Sequence, residues 1–298
     1  MEVYILREKD VEEILNSSNV YKIKKLLKMK KHHKEIYEFV TKRFHFIPID
    51  FCNPQMEKSE VDKDPLKAIQ SINNHVDGSM GDKTTVTPKE LLEIYSSAWT
   101  GVIESNVEEI KRGRKAAIPG PHFNYNLKWK KCSGICGDVS GDVLISYPKF
   151  AVPQSIPLFL IKLFSRLVYT VGNFMPVPKI GRGKNSLNSI HSYQKKGIRY
   201  ERLDCFLLDL KDPNIKYNDY YCKLLGKKFS WDTFCEYNFL SPFRFNKEVY
   251  DLSTLELSCC KNKTMLEELT MDNLEEFFWN ACACIIARGN LILNKIDK

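Results

Sequence analysis

Residues 168–212 read V-Y-T-V-G-N-F-M-P-V-P-K-I-G-R-G-K-N-S-L-N-S-I-H-S-Y-Q-K-K-G-I-R-Y-E-R-L-D-C-F-L-L-D-L-K-D, and the architecture turns on them. An apolar helix runs in, a Gly172-Asn173 corner and two prolines break the path, a polar loop follows, and an amphipathic helix leaves. Gly172 admits backbone angles closed to other residues, and Pro176 and Pro178 forbid a helix, so Phe174 to Pro178 should be extended. Between Lys179 and Lys196 lie Arg182, Lys184, Asn185, Asn188, His191 and Gln194, with only Ile180, Leu187 and Ile190 as aliphatic anchors. A loop of that length is either functional or a connection held by asparagines that bond backbone in turns.

Helical spacing dominates on both sides of this loop. Ser155-Ile156-Pro157 starts a helix whose apolar face continues through Leu160, Ile161, Leu163, Phe164, Leu167 and Val168. Ile198 to Leu210 is expected to be helical and to end at Asp212-Pro213. Ser230 to Leu240 reads as a short helix, and Thr270 caps a last one through Leu274, Phe277, Phe278, Ala281, Ile285 and Ile286. Thr87-Pro88-Lys89-Glu90 is a capping box that opens a long helix to about Arg112. Leu127 to Lys131 and Asp142 to Tyr147 alternate as strands around Gly134 and Gly137, and Phe243 to Leu257 holds a small strand pair. The sum is mainly α with minor β, an α+β protein. It divides into a helical part at 1–113 and an α+β part at 114–298 around the central 169–204 loop, or forms a single domain with one shared core.

The 298 residues are 43% hydrophobic, enough for a sizeable core. The charge-free run Phe150 to Ile161 contains two prolines and is too short to span a bilayer, and the first residues are no secretory signal. A cytoplasmic protein with no membrane association and with reduced thiols is expected. Ten cysteines are too dilute for a disulfide scaffold, and most should be small core residues. Cys132 and Cys136 fall near the expected hairpin tip, where they would suit half of a zinc site that needs two more ligands.

The net charge is +8, and from Lys22 to Arg43 nine Lys or Arg stand against two Glu. Apolar residues between Val20 and Phe44 recur at three- and four-residue steps, giving one amphipathic helix or two in tandem with the lysines on the wet side. Lys22, Lys24, Lys25, Lys28, Lys30, Lys31 and Lys34 form a face that would meet phosphates, or else a merely solvated one. Arg182 and Lys184, in Gly181-Arg-Gly183-Lys184, add two cations and backbone N–H groups without forming a Walker motif.

The segment Tyr169-Thr-Val-Gly172-Asn173-Phe-Met-Pro-Val-Pro178 with Asn185-Ser-Leu-Asn188 resembles the Gly-Asn segment of HNH-type nuclease domains. That resemblance implies that Asn173 orients a catalytic loop and that Asn188 or His191 helps to hold a divalent metal, Mg or Mn. The pattern's histidine is Tyr169 here, and no Glu-His-x-x-Pro upstream supplies the base that a nuclease requires for most of its rate. More of the chain, roughly 143–293, resembles a group of uncharacterised bacterial proteins of Firmicutes type. The likeness lies in Gly172-Asn173-Phe174, Asn188, Arg202-Leu203-Asp204 and Arg288-Gly289, and it implies a bacterial or phage origin. The resulting expectation is a protein that binds DNA or RNA, linked to phage defence or counter-defence. The alternatives are a protein-interaction module without catalytic activity and a metal-dependent nuclease, which would take Mg or Mn. Arg199, Glu201, Arg202 and Asp204 either join Asn173 and Asn188 in a polar pocket or form ion pairs that pin the loop.

Overall fold

A helix that is apolar on every side has to be surrounded, and Phe277-Phe-Trp-Asn-Ala-Cys-Ala-Cys-Ile-Ile-Ala287 is such a sequence. The computed structural model describes residues 6–44, 108–109, 124–127, 137–143, 145, 156–167, 170–178, 192–195, 198–201, 203–211, 231–258 and 271–296. The last helix runs over Met271–Ile296, about 39 Å at 1.5 Å per residue. Every residue of it from Phe277 to Asn290 is buried.

The helices that surround it come from distant parts of the chain. In chain order the first are α1 (Glu8–Leu15), α2 (Val20–Leu27) and α3 (His33–Arg43), with a 3-10 turn at Lys30–His32. Later come α4 (Leu158–Leu167), α5 (Leu203–Lys211), α6 (Trp231–Tyr237) and the long helix, α7. The basic segment is thus broken in two, with Asn19 capping α2 by accepting from Lys22 N and the 3-10 turn separating α2 from α3. Ile23, Leu26 and Leu27 of α2 and Ile36 and Val40 of α3 enter the same apolar cluster as Leu160, Phe164, Phe277 and Ile285. α7 packs against α2, α4 and the corner at Val171–Asn173. Asn290 closes the arrangement by donating to the carbonyls of Leu15 and Ser17 at 2.6 and 2.8 Å.

The β structure is small, so the protein is mainly α with minor β. β1 (Glu108–Glu109), β2 (Asn124–Leu127), β3 (Gly137–Val143) and β4 (Phe174–Pro178) form an antiparallel sheet in that order. Phe174 to Pro178 is extended, as the prolines require. Pro176 and Pro178, two residues apart, put their missing N–H groups on the same side of what is the sheet's edge strand, where proline is tolerated. Leu127 pairs with Gly137, so the β2–β3 pairing begins earlier in the chain than the alternation had placed it. Residues 128–136, with Cys132 and Cys136, lie outside the described residues.

Four expectations are corrected. Glu108–Glu109, inside the helix expected to run from Thr87 to about Arg112, is the strand β1 paired with β2, and residues 87–107 lie outside the described residues. Ile198 to Glu201 is a strand, β6 (Ile198–Glu201), paired with β5 (Ser192–Lys195), and the helix starts only at Leu203. The apolar-polar alternation of Ile198-Arg-Tyr-Glu201 has period two, and Lys195 pairs with Ile198. Gly172, in turn, sits in a 3-10 turn without a left-handed backbone; glycine is required there by close approach. A Cβ on it would lie 2.2 Å from the Ile285 carbonyl oxygen of α7. Phe243 to Leu257, expected as a strand pair, holds three short strands: β7 (Arg244–Phe245), β8 (Glu248–Tyr250) and β9 (Leu257–Ser258). Among the described residues no helix is long and apolar enough to cross a membrane.

Gly172→Ala should lower unfolding free energy by about 1–3 kcal/mol, because the obstruction is helix backbone that cannot swing aside. Urea denaturation followed by circular dichroism measures it, and an unchanged midpoint would contradict the close approach.

Candidate functional site

The basic face is built on α2, the 3-10 turn and α3, whose apolar residues are fixed in the core and so aim the intervening lysines. Lys24 and Lys28, one helical turn apart, converge on Glu276 of α7, Lys24 Nζ at 2.8 Å and Lys28 Nζ in a short approach to the other oxygen. Burial raises the Glu276 pKa, but the bonds to Lys24 and Lys28 outweigh it and hold the carboxylate below its ordinary 4.5. Lys22, Lys25, Lys30 and Lys31 are exposed and make no ion pair among the described residues, whereas Lys34 lies 4.0 Å from Glu38 on the same helix. The seven lysines therefore divide into two that tie α2 to α7, one with an acidic neighbour, and four that face solvent.

Two histidines interrupt the lysines. His32 is buried and its Nδ1–H donates to Glu35 at 2.6 Å. His33 stacks on Phe159 of α4, with ring centroids 3.6 Å apart and planes 7° apart, while its Nε2–H donates to the Leu27 carbonyl at 3.1 Å. Burial lowers the His33 pKa from 6.5, the Leu27 carbonyl opposes that, and the Lys30 charge lowers it further. With a depressed folded-state pKa, the stability from this stack is complete above pH 6.5 and is lost as pH falls through the folded value.

The corner residue Asn173 is fully buried. Its Oδ1 accepts from Ile145 N at 3.1 Å and its Nδ2 donates to Ile145 O at 2.9 Å. Val143 pairs with Phe174, so the amide extends the β3–β4 ladder where the backbone turns away. Asp204 is also buried, and it accepts from Leu252 N at 3.0 Å. Asn188, His191, Arg182, Lys184, Cys132 and Cys136 lie outside the described residues, and the side chains of Arg199, Glu201 and Arg202 are not described. Among the described residues no group of His, Cys, Asp or Glu is arranged to hold a metal ion. Cys235, Cys282 and Cys284 are free and buried; burial pushes the Cys235 thiol up to about 12, as expected of core residues.

Sequence reasoning missed the polar centre of the molecule. Arg288 is fully buried; its Nε donates to Asn238 O at 3.0 Å and its Nη1 to Val171 O at 3.3 Å and Gly172 O at 2.8 Å. A lone arginine after eleven residues with no charge, Phe277 to Ala287, was the available signal, since a buried cation has to find carbonyls or carboxylates. Glu276, which organises Lys24 and Lys28, carried no such signal.

Comparison with protein-family models, curated proteins and solved structures returns no match to this chain.

Arg288→Met should cost about 3 kcal/mol or more in chemical denaturation, because it strands three buried carbonyls. His33→Phe keeps a ring on Phe159, and its stability should no longer decline below pH 6.5 as wild type's does, as thermal melts across pH 5–7 would register.

Proposed function

We propose that this is a nucleic-acid-binding protein of the cytoplasm, of bacterial or phage origin, that meets phosphates through the face of α2 and the 3-10 turn that follows it. The observation that carries this reading is the exposure of Lys22, Lys25, Lys30 and Lys31 on elements anchored in the core, without ion pairs among the described residues. Cations held by rigid helices meet a polyanion with little further ordering, and each phosphate they neutralise releases counterions. Lys24 and Lys28 take a different part: their shared bond to Glu276 fixes the rotation of α2 and hence the direction of Lys22 and Lys25. A role in phage defence or counter-defence, and the metal-dependent nuclease chemistry that Asn188 and His191 would serve, rest on the resemblances alone.

Replacing Lys22, Lys25, Lys30 and Lys31 together by Ala should leave the fold intact and weaken binding to DNA and RNA. The slope of log affinity against log salt should fall by up to about 3.6 on duplex DNA, at about 0.9 for each phosphate that is no longer neutralised. An unaltered slope, or a wild-type protein that ignores polyanions and instead binds a defined protein with these lysines dispensable, would make the face a solvated one.

A further inference from the structure

Among the described residues, the large apolar side chains left exposed include Tyr21 at 54%, Phe245 at 56% and Leu257 at 42%, and all three gather beside the basic segment. The strand register puts Phe245 opposite Glu248 and Leu257 opposite Tyr250. Phe245, Glu248, Tyr250 and Leu257 therefore project from one face of the β7–β9 sheet. Tyr21 reaches that face from α2. Its ring meets Tyr250 edge-on, with centroids 5.8 Å apart and planes at 86°, and its hydroxyl donates to the Leu255 carbonyl at 3.3 Å. Phe245 is the diagonal neighbour of Tyr250, about 7–8 Å away on the same face.

Among the described residues, three exposed lysines stand beside these rings, against one exposed carboxylate, Glu256, next to Leu257. Lys25 lies one helical turn beyond Tyr21 on the same side of α2, Lys22 is next to it, and Lys247 is exposed in the turn between β7 and β8. The carboxylate on the sheet face, Glu248, bonds Lys211 Nζ at 3.1 Å. Aromatic surface interleaved with lysines that make no ion pair among the described residues is what a single strand of nucleic acid requires: a ring for each base face and a cation for the phosphate between. A duplex offers its phosphates to the cations in the same way, but its base faces are hidden in the stack.

We infer that the surface formed by Tyr21, Phe245 and Leu257 with Lys22, Lys25 and Lys247 binds single-stranded nucleic acid, with bases stacked on Tyr21 and Phe245. This rests on the nucleic-acid reading above and narrows it from phosphate binding in general to unpaired strands.

The test is fluorescence anisotropy of the full chain with a labelled oligothymidylate and with a duplex of equal length, over a salt series. Wild type should favour the single strand. Tyr21→Ala with Phe245→Ala should weaken single-strand binding roughly tenfold or more per ring, with duplex binding and the salt slope unchanged. Tyr21→Phe keeps the ring and removes only the hydroxyl, with its bonds to Leu255 and Tyr250, so it should bind as wild type does. Phe245→Ala, on an exposed sheet position, carries the test alone if the double variant fails to fold. Equal weakening on both nucleic acids, or none on either, would overturn the single-strand assignment while leaving phosphate binding by the lysines in place, and the second is also what a protein-docking face would give. A wild-type protein that binds neither oligonucleotide would overturn both readings.

Discussion

The carbonyl of Ile285 and the Cα of Gly172 occupy a space in which no side chain fits, and the rest of the molecule is arranged around that approach. Three residues further along α7, Arg288 turns its guanidinium to the carbonyls of Val171 and Gly172, so the corner that touches the helix is also bonded to it. The same side chain holds Asn238 O just beyond α6. From the corner, Asn173 passes the position on to Ile145 and the β3–β4 ladder. One cation thus satisfies three carbonyls belonging to segments that have no regular pairing with one another, and a buried charge becomes tolerable because its donors are used.

The opposite flank of α7 works by different chemistry. There Glu276 draws in Lys24 and Lys28, and Asn290 takes the carbonyls at the end of α1. The ion pairs are partly exposed, so each contributes only about 0–1 kcal/mol, and their effect is more one of orientation than of stability. With Tyr21 bonded to Leu255 and Lys24 to Glu276, α2 has little freedom to roll. That is why a run of lysines whose sequence order looks uniform presents two distinct surfaces.

Much of this was legible because helices announce themselves by period and by punctuation. Leu160, Phe164 and Leu167 mark α4, Asp212-Pro213 ends α5 one residue after Lys211, and the prolines at 176 and 178 force the extended segment. The strand at Ile198–Glu201 reads as helix in the sequence because four alternating residues directly precede a true helix, and the longer period absorbs the shorter one. Gly172 illustrates a harder limit. A glycine that lets two backbones touch looks in sequence like a glycine that lets one backbone turn, and only the neighbour, Ile285, tells them apart. The candidate surface was half visible: the lysines could be counted, whereas the meeting of Tyr21 with Tyr250 depends on a separation of more than two hundred residues that no local pattern encodes.

That separation bears on how the protein comes into being. α2 emerges from the ribosome long before Met271–Ile296, the helix against which it packs. Until then Ile23, Leu26 and Leu27 have no permanent cover, and the loop that must close between them and α7 encloses most of the chain. Pairings so remote in sequence are slow to form and leave apolar surface open meanwhile. The N-terminal helices must therefore wait, as a nascent amphipathic segment rich in lysine, for their partner to be synthesised. During synthesis those same lysines act as gatekeepers, keeping the waiting segment soluble before there is any surface for them to decorate.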